Sequence, residues 1–433
     1  MHWLLNKLGM KDNKALIGYL TVVTAGQLIY SGFEAFKGSF YNTLLQVLHL
    51  SNAQLGAVFS LIGISMFFYI PGGWINNRFS IRSILITGLL IRFVTMTYII
   101  LFAPGFETLK VIAVIWGLTD AFFWPAVLNG VIFFTDKQHR GLGFGLLEAI
   151  HRLEEVVMSL LVVAVMALIS GLVVFKGAMF TYNLLILPMI FLIWKYIPKN
   201  GISAEKIEHE HLGEKSLDAL KGLFYVLIQP KVWLAAIAAM SIYWGYIILV
   251  YSVPYLQNQY HLSTAQTAVF GVLNTGFVGV LAGVIAGVIS DYVFKSTTKM
   301  IFVALFLSSI VLLIVVFFKT GLVLSMILLF TFSLTTFLSK SVILAPISEF
   351  KLPEKYSGSA MSVGSFMAYA PIFWVYTMNG QLLDEFKGHE FEAYQMIFKI
   401  GIAVSAAGSL AALILVILMN KEKRKERSKA AQS

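Results

Sequence analysis

Apolar residues run along this chain in long blocks rather than in the narrow stripe of a surface helix. Stretches long enough to cross a hydrocarbon layer about 30 Å thick recur twelve times, at roughly 15–38, 52–76, 81–103, 107–134, 141–170, 172–196, 230–257, 263–290, 298–318, 321–349, 356–381 and 392–419. The pattern predicts an all-α integral membrane protein with about twelve transmembrane helices. The longest polar stretch, Pro198 to Gly222, falls between the sixth and seventh segments. The expected domains are therefore a six-helix bundle over 1–197, a linker over 198–222, a second six-helix bundle over 223–420 and a basic tail over 421–433.

Composition agrees with this division. The chain is 58% hydrophobic and 12% charged, with a mean hydropathy of +0.81, which excludes an ordinary soluble domain. Its net charge of +10 is a topology signal. Arg78, Arg82, Arg140, Lys195, Lys199, Lys295, Lys299, Lys351 and Lys355 all fall in alternate connections, which makes those connections cytoplasmic and puts both termini on their side of the cell membrane. Nucleic acid is not needed to account for the charge. Lys7, Lys11 and Lys14 precede the first span without a small-residue cleavage site, so it reads as a retained helix. The absence of cysteine excludes disulfides and thiolate metal sites. His209 and His211 alternate with Glu208 and Glu210 as in a solvated linker, and Gly213 to Ser216 lacks the earlier glycine of a phosphate-binding loop. No cofactor or metal is expected, and a monomer is expected to suffice.

The two halves repeat one another. Ser51-Asn-Ala-Gln54 matches Ser263-Thr-Ala-Gln266, Gly73 to Arg78 matches Gly287 to Tyr292, and Arg140-Gly141 matches Ser357-Gly358, at offsets near 212 to 217 residues. With the span count, the hairpin Gly73-x-x-x-Asn77-Arg78 resembles the hallmark of the major facilitator superfamily. Asn77 stands where that family usually has Asp, and Tyr292 follows Asp291 where Arg would be usual. The resemblance implies two six-helix bundles rocking about a midplane site, with Gly73, Asn77, Arg78 and Asp291 as a conformational gate. The series Gly279, Gly283, Gly287 is expected to let helices approach closely.

Candidate chemistry lies in charges that a membrane span must account for. Glu148, His151, Arg152, Glu154 and Glu155 crowd into the fifth span, and at about 100° per residue Glu148, Arg152 and Glu155 share one stripe. A rise of about 1.5 Å per residue puts Arg152 and Glu155 near the bilayer midplane. Arg92 and Asp120 are also deep, and a lipid-facing charge there would cost at least about 2.5–3.5 kcal/mol. Arg92 is expected to pair with an acid of its own half, and Glu34 with Lys37 one turn on. Glu349 lies at an interface and needs no special role. Arg152, Tyr30, Lys340, Tyr243, Tyr246, Asn274 and Asn379 are the substrate-binding candidates. Glu155, Glu148, Asp120 and Glu34 are the proton-coupling candidates, because burial favours the neutral carboxyl.

These features point to a secondary active transporter of a small polar solute. Guanidinium and ammonium groups favour an organic anion, and the buried acids favour proton-coupled symport. The alternatives are a proton-coupled drug or metabolite efflux antiporter and a non-transporting membrane sensor. The topology is directly testable because no native cysteine interferes. Single cysteines at Ser216 in the linker and Ser428 in the tail should react with an impermeant maleimide from the cytoplasmic side alone; labelling of intact cells at either position would reverse the orientation.

Overall fold

A computed structural model of the chain describes residues 10, 12–68, 75–76, 78–135, 140–169, 171–199, 224–349 and 354–430. Regular structure among them is helical: α1 Asn13–Leu28, α2 Ser31–Glu34, α3 Tyr41–Leu48, α4 Asn52–Ile62 with a 3-10 extension Gly63–Phe68, α5 Ile81–Phe102, α6 Phe106–Phe134, α7 Arg140–Leu168, α8 Leu172–Leu184 and α9 Ile186–Tyr196. The second half continues with α10 Pro230–Leu249, α11 Ser252–Tyr260, α12 Thr264–Gly271, α13 Val278–Val288, α14 Thr297–Phe317, α15 Leu322–Lys340, α16 Ala345–Glu349, α17 Glu354–Tyr369, α18 Ile372–Glu385 and α19 Glu390–Ala430. π-helical turns, Val272–Phe277 and Ile289–Phe294, flank α13.

Each of the twelve expected spans coincides with helix, but several are interrupted. Eight described helices are long and apolar enough to cross a membrane on their own, and the pair Tyr41–Leu48 and Asn52–Phe68, bent by 101°, would make a ninth. The others fall short for local reasons. The first span breaks between α1 and α2, the fifth carries too many charges, and the eleventh breaks before Pro371, which lacks an N–H and disfavours helix at the residue before it. Pro188, just after the α8–α9 break, acts in the same way.

The sequence repeat has a physical basis in helix starts. Ser51 and Ser263 each form a capping box, with the serine oxygen accepting from the N–H of Gln54 or Gln266 while that glutamine accepts from the serine N–H. The repeat extends two residues further back: His49 and His261 both take the left-handed conformation that ends the preceding helix, with φ of 53° and 52°. Ser80 and Ser296 likewise cap α5 and α14.

Contacts divide the chain into unit 1, Met1–Ile207 with Val250–Val280 and Phe373–Gly388, and unit 2, Glu208–Leu249 with Leu281–Ile372 and His389–Ser433. The units follow packing rather than chain order, because α11, α12 and α18 of the second half pack with first-half helices. Two of the cuts fall at interruptions, after Leu249 and at Pro371.

In unit 1, α6 carries Trp116 into an aromatic core of Phe33, Phe36, Phe40, Phe59, Phe175 and Tyr182, with ring centroids 5.2–5.8 Å apart. Unit 2 packs α10, α14, α17 and α19 through small and branched residues, including Ala235, Ala238, Ile242, Ile301, Ala360, Ala412 and Leu415. Glu349 does have a role there. Its carboxylate accepts from Thr297 and from the Ser296 and Thr298 hydroxyls, both at 2.7 Å, at the start of α14. Side-chain placement at a helix N-terminus, invisible in linear order, created that role.

The expected glycine seam is not where the glycines are most regular. A Cβ on Gly287 would meet nothing within 4 Å and one on Gly283 only Ser341 Oγ at 4.0 Å, because no helix is seated there among the described residues. Close approach occurs instead at Gly117, where a Cβ would lie 2.6 Å from the Ile62 carbonyl oxygen. Gly117→Ala should therefore cost about 1–3 kcal/mol and lower the melting temperature in detergent. Gly177→Ala, where a Cβ meets nothing within 4 Å, should leave it unchanged or slightly raised.

Candidate functional site

The polar cluster of α7 divides between two faces. His151 and Glu154 turn towards α1: His151 Nε2 lies 2.8 Å from the Val23 carbonyl oxygen, and Glu154 Oε1 accepts from Thr24 Oγ1 at 2.6 Å. A carbonyl can only accept, so Nε2 carries the proton. Gly26 makes room, since a Cβ there would come 2.9 Å from His151 Nε2. The Trp124 ring closes the site, its centroid 5.7 Å from that of the imidazole. Gln27 is hydrogen-bonded to the Tyr182 hydroxyl of α8 alongside. These contacts hold α7 to α1.

Arg152 and Glu155 occupy the other face. Arg152 Nη1 donates to Glu155 Oε2 at 2.7 Å, with the side chains 17% and 19% exposed. Pairs of this spacing stabilise a helix by only about 0.2–0.5 kcal/mol. This pair joins two residues of one helix rather than two helices. Glu148, one turn earlier, is exposed.

Arg92 is held quite differently. Only 1% exposed, it donates to Glu34 at 2.8 Å, approaches Asp120 at 3.4 Å and places its guanidinium 4.0 Å from the Trp116 ring centroid. Trp116 is itself oriented by donating from Nε1 to Thr95 Oγ1 at 2.7 Å. Three elements, α2, α5 and α6, thus meet on one cation. Glu34 takes Arg92 rather than Lys37, whose ammonium lies 5.3 Å from the Phe59 and Tyr376 ring centroids. Lys37 N–H still donates to the Glu34 carbonyl oxygen at 3.4 Å, so the chain keeps turning past the end of α2 while the Glu34 carboxylate is drawn to the buried guanidinium of Arg92.

Among the second-half candidates, Lys340 ends α15 with its ammonium 4.7 Å from the Tyr246 ring centroid. Tyr246 is 5.2 Å from Tyr243, which is 4.9 Å from Tyr369, and Phe337 completes the group. Such rings favour a cation electrostatically while shielding it from water. Asn274, in the π-helical turn, and Asn379, in α18, are buried, and both belong to unit 1. Tyr30, half-buried, lies at the α1–α2 break. Of the expected gate, Gly73 and Asn77 lie outside the described residues, Arg78 is exposed and Asp291 lies in the second π-helical turn. Linear order concealed Trp116, Thr24, Gln27, Tyr182, Tyr369 and Asp384, mostly uncharged residues with nothing unusual around them in the sequence.

A profile described as Major Facilitator Superfamily matches residues 23–376. The chain belongs to the Major Facilitator Superfamily. Two Escherichia coli (strain K12) relatives are similar over nearly their whole length. Inner membrane protein YihN is 26% identical over 426 residues, covering 96% of this chain and 98% of the relative. Inner membrane protein YqcE is 22% identical over 405 residues, covering 89% and 92%. Among solved structures, a mutant of the nucleoside transporter NupG superposes with a TM-score of 0.71 at 12% identity, covering 92% of this chain and 99% of that one. A bacterial homologue of the human lysosomal transporter Spinster, inward-facing and occupied, gives 0.69 at 11%, covering 94% and 97%. At such identities the structural likeness establishes the twelve-helix fold alone. This superfamily member is thus a membrane-spanning transporter of a small solute.

In this transporter the Arg92 group is more enclosed than the Arg152–Glu155 pair, with the arginine side chain 1% exposed against 17% for Arg152. Arg92→Ala leaves Glu34 and Asp120 without their cation and is expected to cost about 3–5 kcal/mol, read as thermal unfolding in detergent. Adding Glu34→Gln and Asp120→Asn should recover much of that loss. Equal instability in the single and triple variants would assign the effect to packing of the arginine stem.

Proposed function

We propose that this transporter carries a small organic anion by proton-coupled symport, with Arg152 as the anion-binding cation and Glu155 as the proton site. The observation that carries this reading is the Arg152–Glu155 pair, a guanidinium held at 2.7 Å by a carboxylate on its own helix and partly open on that face. Protonation of Glu155 removes its charge and weakens its hold on the guanidinium. Arg152 can then turn its guanidinium, whose forked edge suits two parallel bonds, to a carboxylate, sulfonate or phosphate. Loss of the anion and then of the proton restores the internal pair, and the bundles can return empty. For a monoanion with one proton the cycle moves no net charge; a second proton would add about 2.3 kcal/mol per 100 mV.

Further support comes from Lys340, the corresponding cation candidate of unit 2, whose aromatic surroundings are less suited to a lipophilic cation while the ammonium is present. Glu34 and Asp120 remain secondary proton candidates, because two carboxylates share one guanidinium. Tyr30, Tyr243, Tyr246, Asn274 and Asn379 are proposed to read the shape and polarity of the solute, and Glu148 to exchange with Arg152 from the exposed end of the stripe. The chain is proposed to act as a monomer in the cytoplasmic membrane, with both termini cytoplasmic.

The test is uptake into pH-clamped proteoliposomes against a panel of organic anions, sugars and lipophilic cations. Inward proton flow should drive anion uptake, and expulsion of a lipophilic cation in its place would overturn the reading in favour of an efflux antiporter. Arg152→Gln should lower anion uptake at least about tenfold, the loss of roughly one charge-assisted hydrogen bond. Glu155→Gln should retain anion exchange but abolish its acceleration by a pH gradient. Normal coupled uptake by Glu155→Gln would remove Glu155 from the mechanism.

A further inference from the structure

The start of α4 allows a complete account of its backbone donors. Ser51 N–H is taken by Gln54 Oε1, Gln54 N–H by Ser51 Oγ and Leu55 N–H by the Ser51 carbonyl. Two donors remain, Asn52 and Ala53, and the carboxylate of Asp384 takes both, at 3.0 and 2.8 Å, with the Asn52 side-chain amide adding a third bond at 3.1 Å. Asp384 lies in α18, more than 330 residues further along the chain. The helix N-terminus adds a favourable field for its charge.

Around this contact the two helices meet backbone to backbone. A Cβ on Gly56 would lie 2.2 Å from the Tyr376 carbonyl oxygen, and one on Gly380 2.2 Å from the Asn52 carbonyl oxygen. Thr377 Oγ1 donates to Ser60 Oγ at 2.9 Å, and the Phe59 and Tyr376 rings are 5.3 Å apart. Nothing as large as a solute passes between helices in such contact. The duplication makes the arrangement one-sided. Ser263 and Gln266 leave the same two donors at the start of α12, at Thr264 and Ala265, yet the position that matches Asp384 at the 217-residue offset is Ala167, which has no carboxylate to offer.

We propose that Asp384 is a positioning residue of the transport cycle, holding α4 and α18 in contact so that solute cannot pass at this end until its cap on α4 is released. It acts through the helix start and touches no solute. The role is separate from the expected Gly73–Asp291 gate and independent of solute identity and of proton coupling at Glu155. Burial pushes the Asp384 carboxyl up, but hydrogen bonds from Ser51, Ala53 and Asn52 outweigh it and hold the group below the ordinary carboxylate range. Asp384 lies three residues beyond the span expected over 356–381. Glu385, Lys387 and His389 follow on its own segment and His49 precedes the facing helix; none of them is hydrogen-bonded to it. Because the closed contact needs the ionised acid, it is fully formed above the ordinary carboxylate value and is lost as pH falls through the depressed one.

The test uses the full chain in membranes with Ser60→Cys, a 5% exposed site in a protein without native cysteine. Its rate of reaction with a pyridyl disulfide reports opening at this end. Asp384→Asn should raise that rate about tenfold, as loss of a charge-assisted bond would, while the melting temperature stays near the parent value, and Asp384→Glu should recover part of the slow reaction. In the parent the rate should be flat from neutral to mildly acidic pH and rise only below the ordinary carboxylate range, a rise absent from Asp384→Asn. An Asp384→Asn variant that reacts at the parent rate, or whose acceleration comes only with general thermal loss, overturns the proposal. If that variant does not fold, a parent rate that stays flat into strong acid overturns it as well.

Discussion

Hydrocarbon can solvate neither a backbone N–H nor a charge, so every polar group on these helices must find its partner within the protein or in a wet cavity. That requirement organises the polar interior. Arg92 gathers Glu34, Asp120 and the Trp116 ring from three elements because an isolated guanidinium at its depth could not persist. His151 and Glu154 reach the Val23 carbonyl and the Thr24 hydroxyl for the same reason. The first-half helices are tied together by these polar contacts as well as by the aromatic core beside them.

The same constraint separates rigid charges from exchangeable ones. Arg92 bridges different helices and is enclosed, so releasing it means moving backbone. Arg152 pairs with an acid on its own helix and is partly exposed, which is why it, rather than Arg92, is the cation proposed to meet the solute. Burial alone would have singled out Arg92 as the functional cation. The proposed mechanism ranks them the other way, since a group that must change partners in each cycle cannot also hold the bundle together.

Duplication supplied matching helix starts, and later divergence gave them unequal partners. Both halves carry His-Leu-Ser-x-Ala-Gln at corresponding turns, with the same left-handed histidine and the same capping box. In the first half the remaining donors meet Asp384 from a distant helix; the matching position for the second half is Ala167, which carries no carboxylate. An inherited local motif thus became a long-range contact through one side chain.

Much of the fold was legible in linear order because span length and charge bias are properties of contiguous residues: twelve apolar blocks, the central linker and the repeated cap motifs all follow from local composition. The Arg152–Glu155 pair was also within reach, being three residues apart on one helix. Other features depended on tertiary structure. Glu34 pairs with Arg92 of another helix, and close helix contact occurs at Gly56, Gly117 and Gly380 rather than along the regular series Gly283 and Gly287. Glu349 reads from the sequence as an ordinary interfacial acid and Asp384 carries no signal at all, yet packing places each at the start of another helix. The sequence by itself determined which segments enter the membrane, since that depends on the transfer energy of each block. Only the tertiary structure decided which charges meet, because residues far apart in the chain carry no local record of the neighbour that will neutralise them.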